Sequence, residues 1–306
     1  MLTGKQPRIP CNLCAADDPT LRYQVNGWDI VRCCHCTLAY VSPLPDEAFL
    51  RNYYDQDFYQ GAHKPAAYED YLRDKDFHMQ QFRDYWPLVC REIAEPGRVL
   101  DVGCAMGFFL EMVRAEGWGA YGIDLSDFAA SWARREMGLD VRTGTLLDVH
   151  FPSGYFDVVT MWTTIEHLVN PLATLIEAAR VLRPGGLILV TTGEVDGVLD
   201  KLSRGLCYWY EPPAHLYYFS IHTLRTMLCK AGFDPVRVQG VELDPCMAVP
   251  FKRPILRPLN KWLPVSLRRW LRLSYRAARY ALEWLGLAEP ERIGNLVVAL
   301  GRKPRE

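Results

Sequence analysis

Three groups of residues in this chain of 306 have types and spacings suited to chemistry. The first is cysteine. Cys11-x2-Cys14 is followed, after eighteen residues, by Cys33-Cys34-His35-Cys36, so two Cys-x2-Cys knuckles face one another. Each knuckle turn aims two thiolates to one side, and four thiolates close a tetrahedron with no position left for water. Cys11, Cys14, Cys33 and Cys36 are therefore expected to hold a structural zinc ion. Cys34 and His35 compete as ligands, but Cys33 and Cys36 keep the spacing of the first knuckle; a cluster of buried free thiols is the alternative. The second group is a strand-end turn, Asp101-Val102-Gly103-Cys104-Ala105-Met106-Gly107, with Asp124 about twenty residues beyond it. Small residues there let the backbone approach a ligand, and free N–H groups at the start of the following helix favour a negative group. A carboxylate at this offset accepts hydrogen bonds from both hydroxyls of a ribose, or is simply a solvated strand end. The third group is the pair His167 and His215. A histidine titrating near neutrality serves as base for a hydroxyl or an activated carbon. Otherwise Glu166-His167 braces a loop and His215 orders the segment Tyr217-Tyr218.

The elements that must position these groups follow from pattern. Between the knuckles Leu21, Tyr23 and Val25 alternate with polar residues, Asn26-Gly27 turns the chain, and Trp28, Ile30 and Arg32 lead back, which makes a zinc-ribbon hairpin. From Arg98 onward strands alternate with helices, as in a parallel sheet covered on both faces. Val99–Val102 is the first strand and Phe108–Gly117 an amphipathic helix. Ala120–Asp124 is the second strand, Val141 centres the third, and Phe156–Met161 is the fourth. Arg183-Pro184-Gly185-Gly186 ends a helix and turns into a fifth strand, Leu187–Thr191. Strands near Val236–Val241 and Asn295–Leu300 close the pattern. His167 and His215 then fall after the fourth and fifth strands, at the carboxyl ends where open α/β sheets bind ligands.

With those motifs in order, residues from about Arg98 to Gln239 resemble the class I S-adenosylmethionine-dependent methyltransferases. The matching strings are Asp101-x-Gly103-x-x-x-Gly107, Asp124, Phe156-Asp157-Val158-Val159, Glu166-His167-Leu168 and Leu182-Arg183-Pro184-Gly185-Gly186. The cysteine knuckles, Val41-Ser42-Pro43-Leu44-Pro45, the tyrosines from Tyr53 to Tyr59 and His215-Leu216-Tyr217-Tyr218-Phe219-Ser220 extend the likeness to a bacterial subgroup associated with polysaccharide and other secondary biosynthesis. The resemblance implies a doubly wound, Rossmann-like α/β fold with a seven-stranded methyltransferase sheet and a small N-terminal zinc ribbon. It implies S-adenosylmethionine as cofactor, with Gly103 and Gly107 lining the methionine part, Asp124 at the ribose, Thr145 to Leu147, Leu146 among them, beside the adenine, and Asp101, Ala105 and Leu125 also in the cofactor site. Two positions depart from the pattern. Ala105 stands where the family usually has glycine and is expected to fit if its φ is negative, and Thr145 replaces an acidic residue, leaving adenine recognition to backbone groups or Asp148. Asp55 and Tyr59 are expected to close over the cofactor, and Tyr208, Trp209 and Tyr210 to pack as a lid.

Composition narrows the partners. Hydrophobic residues at 49% and charged residues at 23% are those of a globular protein, and no run approaches the roughly 20 apolar residues of a membrane span. Met1–Pro10 carries charges and prolines where a secretory signal needs an apolar run, so a cytoplasmic location is expected. The net charge of −1 argues against a general nucleic-acid binder. Asp17, Asp18 and Asp29 argue against a zinc ribbon that holds RNA. The domains expected are a zinc ribbon over 1–45, a helical lid or linker over 46–96, and a methyltransferase domain over 97–306 with a basic helical insertion at about 246–290. Over 266–285, Arg268, Arg272, Arg276 and Arg279 share one stripe, which predicts either peripheral contact with anionic lipid or a solvated face. The expected function is methyl transfer to a small molecule such as a sugar, a polysaccharide or a lipid-linked intermediate. An RNA methyltransferase and a non-catalytic scaffold are the rivals; a nicotinamide oxidoreductase would need Gly-x-Gly-x-x-Gly, which Gly103 to Gly107 does not supply.

Overall fold

The computed structural model describes residues 9–54, 59, 71–72, 74–196, 200, 209–241 and 296–305. The whole of the expected insertion at about 246–290, with its basic stretch over 266–285, lies outside the described residues, as do Asp55 and Tyr208.

The N-terminal hairpin pairs β1 (Pro19–Val25) with β2 (Trp28–Cys33) antiparallel. Asn26 and Gly27 turn it with φ of +52° and +78°, the left-handed pair that a two-residue hairpin loop with the right twist requires. A third strand, β3 (Ala39–Val41), adds to β2 and is buried throughout. Two helices follow, α1 (Glu47–Tyr53), whose cap Asp46 accepts from the Phe49 N–H, and α2 (Lys75–Cys90).

The α/β domain then runs β4 (Arg98–Val102), α3 (Phe108–Ala115), β5 (Gly119–Asp124), α4 (Asp127–Met137), β6 (Asp140–Thr143), β7 (Phe156–Trp162), α5 (Pro171–Val181) and β8 (Leu182–Gly193). After β9 (Tyr217–Tyr218) come α6 (Ile221–Lys230), β10 (Asp234–Val241) and β11 (Leu296–Arg302). The seven-stranded sheet has the order β10-β11-β8-β7-β4-β5-β6. β4 to β8 are parallel, and β11 runs antiparallel between β8 and β10. Caps set the helix starts: Ser126 accepts from Ala129, Asn170 from Ala173 with Pro171 in the first turn, and Ser220 and Thr223 form a reciprocal box. The strand expected at Leu187–Thr191 begins earlier, at Leu182, with an irregular register across Arg183–Gly186 where Phe156 faces Leu182 and Val158 faces Leu187.

The hairpin has a further neighbour that pattern reading does not supply. β9 pairs antiparallel with β3, Ala39 opposite Tyr218 and Tyr40 opposite Tyr217, so the small sheet has four strands in the order β1-β2-β3-β9. Phe219 bridges in parallel to Glu194 at the end of β8, with the Val195 N–H donating to its carbonyl at 2.9 Å. The segment 216–219 thus runs from the small sheet to a single bridge just beyond the end of β8. Among the described residues no helix is long and apolar enough to cross a membrane.

Candidate functional site

A cavity of about 390 Å³ opens at the carboxyl ends of β4, β5 and β7. The bend after β4 forms one wall. Gly103 has φ of +75°, and a Cβ there would meet the Thr164 side chain at 2.5 Å, so only glycine allows the approach. Its N–H donates to the Ile123 carbonyl at 2.8 Å. Ala105 has φ of +47°, contrary to the negative value that its methyl group would prefer. The cause is Asp124, whose Oδ2 accepts from the Ala105 N–H at 2.7 Å and so holds that peptide in the left-handed region.

Asp124 is buried. Its Oδ1 accepts from the Ser126 N–H at 2.9 Å and from the Tyr59 hydroxyl at 3.4 Å. Burial raises its pKa against these hydrogen bonds, which lower it. Each carboxylate oxygen has two lone-pair positions, so the side chain braces the bend and still faces the cavity with accepting capacity. Asp101, also buried, accepts from the Thr160 hydroxyl at 2.7 Å, and burial holds its pKa well above the usual carboxylate range.

Asp101, Gly103, Ala105, Asp124, Leu125, Thr145 and Leu146 all line the cavity. Gly107 does not. It caps α3 with φ of +80°, and a Cβ there would strike Leu139 at 2.5 Å, so its glycine serves the bend and its packing. At the far end Asp148 accepts from the Thr145 N–H at 3.1 Å and hydroxyl at 2.7 Å, which lowers its pKa and turns the 144–148 loop toward the cavity.

Tyr54, His167, Leu168, Val169 and Asn170 line another part of the same cavity. His167 Nδ1 lies 2.7 Å from the Ala214 carbonyl and 2.9 Å from the Tyr54 hydroxyl. Burial lowers its pKa to about 4, so the ring is neutral at physiological pH. His215 is buried outside the cavity lining, with Nδ1 2.7 Å from the Trp209 carbonyl and its ring 4.8 Å from that of His167. Between them Glu166 is buried, its carboxyl pushed up to about 8 by burial, while its backbone carbonyl accepts from the Leu216 N–H at 2.7 Å. Trp209 and Tyr210 are buried too, Trp209 directly over Gly193 and Tyr210 edge-on to Tyr23, which makes them packing residues.

Tyr71, His78, Gln81 and Phe82, from α2 and the turn before it, also line the cavity and were not among the expected residues. Their signal was present: His78, Gln81, Phe82, Trp86 and Val89 recur at helical spacing on the buried face of α2, and two of the five are polar. Burial lowers the pKa of His78, stacked on Tyr71 at 4.5 Å, to about 4.

The cysteine cluster lies apart, at the end of the hairpin. The four sulfurs of Cys11, Cys14, Cys33 and Cys36 lie within 4.8 Å of one another, with Cys11–Cys36 at 3.4 Å and Cys14–Cys33 at 3.5 Å. The two knuckles repeat one turn: Ala15 N–H donates to the Cys11 carbonyl and Thr37 N–H to that of Cys33, with Ala15 and Thr37 at φ of +63° and +68°. Cys34 and His35 point outward, His35 facing Asp18 at 4.0 Å.

A family model described as a methyltransferase domain matches residues 77–238, more than half of the chain. The chain belongs to the class I S-adenosylmethionine-dependent methyltransferases. Among similar proteins, a ubiquinone biosynthesis O-methyltransferase of Aromatoleum aromaticum is 36% identical over 104 residues, 31% of this chain and 43% of the relative. One of Cereibacter sphaeroides is 29% identical over 167 residues, 48% of this chain and 64% of the relative. The matched parts thus span less than two thirds of either relative. A solved SAM-dependent methyltransferase from Archaeoglobus fulgidus shares the fold with a TM-score of 0.51 at 17% identity, covering 84% of this chain and all of that one. For a methyltransferase of this class the bend after β4 and the carboxylate ending β5 are the places to look for the cofactor, and here they wall one cavity.

Proposed function

We propose that the chain transfers a methyl group from S-adenosylmethionine to a hydroxyl of a small-molecule acceptor. The observation that carries this reading is the single cavity with a glycine bend and Asp124 at one side and His167 and Tyr54 at another. The residues fit the cofactor: Gly103 leaves room for backbone approach, Asp124 keeps lone pairs for a ribose, and the 144–148 loop offers an apolar slot with Leu146 and Leu147. When bound, the cofactor supplies an electrophilic methyl group on a sulfonium sulfur. The chain aligns the acceptor, excludes water and handles one proton. Tyr59 and Tyr71 from the N-terminal side cover the cavity, while His167 and, behind it, His215 are the polar groups proposed to handle the acceptor hydroxyl. The O-methyltransferase names of the relatives favour oxygen as the acceptor atom.

We propose further that Cys11, Cys14, Cys33 and Cys36 bind zinc. Zn–S bonds of about 2.3 Å in a tetrahedron place sulfurs about 3.8 Å apart, close to the spacing of this cluster. Four thiol donors leave no open position, so the ion is structural. Isothermal titration with S-adenosylmethionine tests the cofactor reading: one site is expected, weakened at least tenfold by Asp124→Asn, and a wild-type chain that takes up no cofactor sinks it.

A further inference from the structure

We propose that Asn12, between the cysteines of the first knuckle, is a positioning residue for the side of the cavity that carries His167: it caps α5 from outside and ties the cavity rim to the cysteine cluster. α5 starts at that rim. Leu168, Val169, Asn170 and Thr174 line the cavity beside His167, and Asn170 is the N-cap of the helix.

The first N–H groups of a helix have no partner within it. Pro171 carries none, so Leu172 and Ala173 are the first two that need acceptors. The Ala173 N–H donates to Oδ1 of Asn170 at 3.1 Å. The Leu172 N–H donates to Oδ1 of Asn12 at 2.9 Å, an acceptor 160 positions earlier in the chain. That contact orients the Asn12 amide, because a backbone N–H only donates and must face oxygen. Its Nδ2 then donates to Oδ1 of Asn170 at 2.8 Å. One asparagine therefore completes the cap and fixes the other.

Two more contacts seat the knuckle and the rim. Leu13 is buried, and its carbonyl accepts from Nζ of Lys230, in the last turn of α6, at 2.6 Å. The Tyr217 hydroxyl of β9 donates to the Val169 carbonyl at 3.1 Å. The segment 169–172 is thus held by Asn12 from the knuckle and by Tyr217 from β9. Asn12 is next in the chain to Cys11, so an ion that fixes the four sulfurs also fixes the cap, and its removal withdraws the free energy that binding lends to folding of the knuckle. The role toward the acceptor rests on the methyl-transfer reading and the response to metal on the zinc reading; the cap rests on neither.

Hydrogen exchange at the Leu172 amide and the methyl resonances of Val169, both read by NMR on the full chain with zinc and after chelation, test the assignment. Chelation of the wild type is expected to speed Leu172 exchange by about fivefold, the usual weight of one cap, and to move the Val169 methyls. Asn12→Ala, with its zinc content checked by native mass spectrometry, should show the fast exchange and the moved methyls even when zinc is bound, and chelation should speed Leu172 no further. Tyr217→Phe removes the other tie and should leave the response of Leu172 to zinc in place. Asn12→Asp keeps an oxygen for Leu172 but cannot donate to Asn170, so it should restore slow exchange while the Val169 methyls stay moved; it also decides the matter should the alanine variant not fold. Wild-type exchange and methyl positions in both Asn12 variants overturn the proposal. A Leu172 response to zinc that survives in Asn12→Ala overturns it as well, since the metal would then act through β9. If the wild type holds no zinc, the coupling to metal falls, and the comparison of wild type with Asn12→Asp judges the positioning. Calorimetry of the wild type with S-adenosylmethionine is read separately: a chain that binds no cofactor sinks the methyl-transfer reading and leaves the cap measurement standing.

Discussion

Ala105 shows how one side chain sets the backbone of its neighbour. Its amide is turned onto Asp124, and the left-handed conformation this demands costs an L-residue roughly 1–2 kcal/mol. Glycine pays no such steric cost but loses more entropy on folding, by about 0.5–1 kcal/mol. Ala105→Gly is therefore expected to stabilise the protein by about 0.5 kcal/mol, measured by urea unfolding, because the first effect slightly exceeds the second. Removing the carboxylate does the reverse: Asp124→Ala strands the buried Ala105 and Ser126 amides, and a loss of about 2–4 kcal/mol is expected in the same assay. His78 gives a pH dependence. The unfolded chain takes up its proton below about 6.5, whereas the folded chain resists until about 4. Above pH 6.5 the residue has no effect; as pH falls from 6.5 to 4 it is expected to subtract up to about 3 kcal/mol from stability. His78→Gln should flatten the pH profile of the unfolding midpoint over that window, and an unchanged slope would refute the assignment.

At the scale of elements, the pairing of β3 with β9 joins the cysteine hairpin to the loop that carries His215. Val41 N–H donates to the Leu216 carbonyl at 2.8 Å, and Leu216 N–H donates to the Glu166 carbonyl at 2.7 Å. The Tyr218 hydroxyl closes back on the His215 carbonyl at 2.9 Å. A closed four-thiolate zinc site supplies folding free energy directly, because the knuckles lack a large core of their own. Native mass spectrometry is expected to find one zinc held by the four cysteines. Its removal by a chelator should speed hydrogen exchange at Tyr217 and Tyr218 as well as in β1 and β2, while β4 and β7 stay protected. Equal protection of Tyr217 and Tyr218 with and without metal would mean that the two sheets are independent.

For the whole molecule, the cavity draws on both the α/β sheet and the N-terminal helices, so a ligand filling it binds the folded state alone. At a hundred times its dissociation constant such a ligand adds about 2.7 kcal/mol. S-adenosylmethionine is accordingly expected to raise the melting temperature by about 5–10 °C for a domain of this size, read by scanning fluorimetry or calorimetry. A shift confined to the cysteine hairpin, or none, would place the cofactor elsewhere.

The sequence by itself carried whatever depends on a few adjacent residues. The paired knuckles, the Asn26-Gly27 turn, the strand–bend–helix around Gly103 and the carboxylate ending β5 are local signals, because thiolate geometry, positive φ and strand alternation act over two to seven residues. They sufficed for the fold class, and seven of the eight residues that the family resemblance placed around the cofactor line one cavity. Tertiary structure decided what depends on residues far apart in the chain. His167 and His215 meet because β9 pairs with β3, Ala105 is bent by a carboxylate nineteen residues away, and His78 and Gln81 face the cavity only because α2 packs there. No local preference encodes those contacts: the free energy that selects them comes from burying apolar faces that the chain brings together only when it is folded.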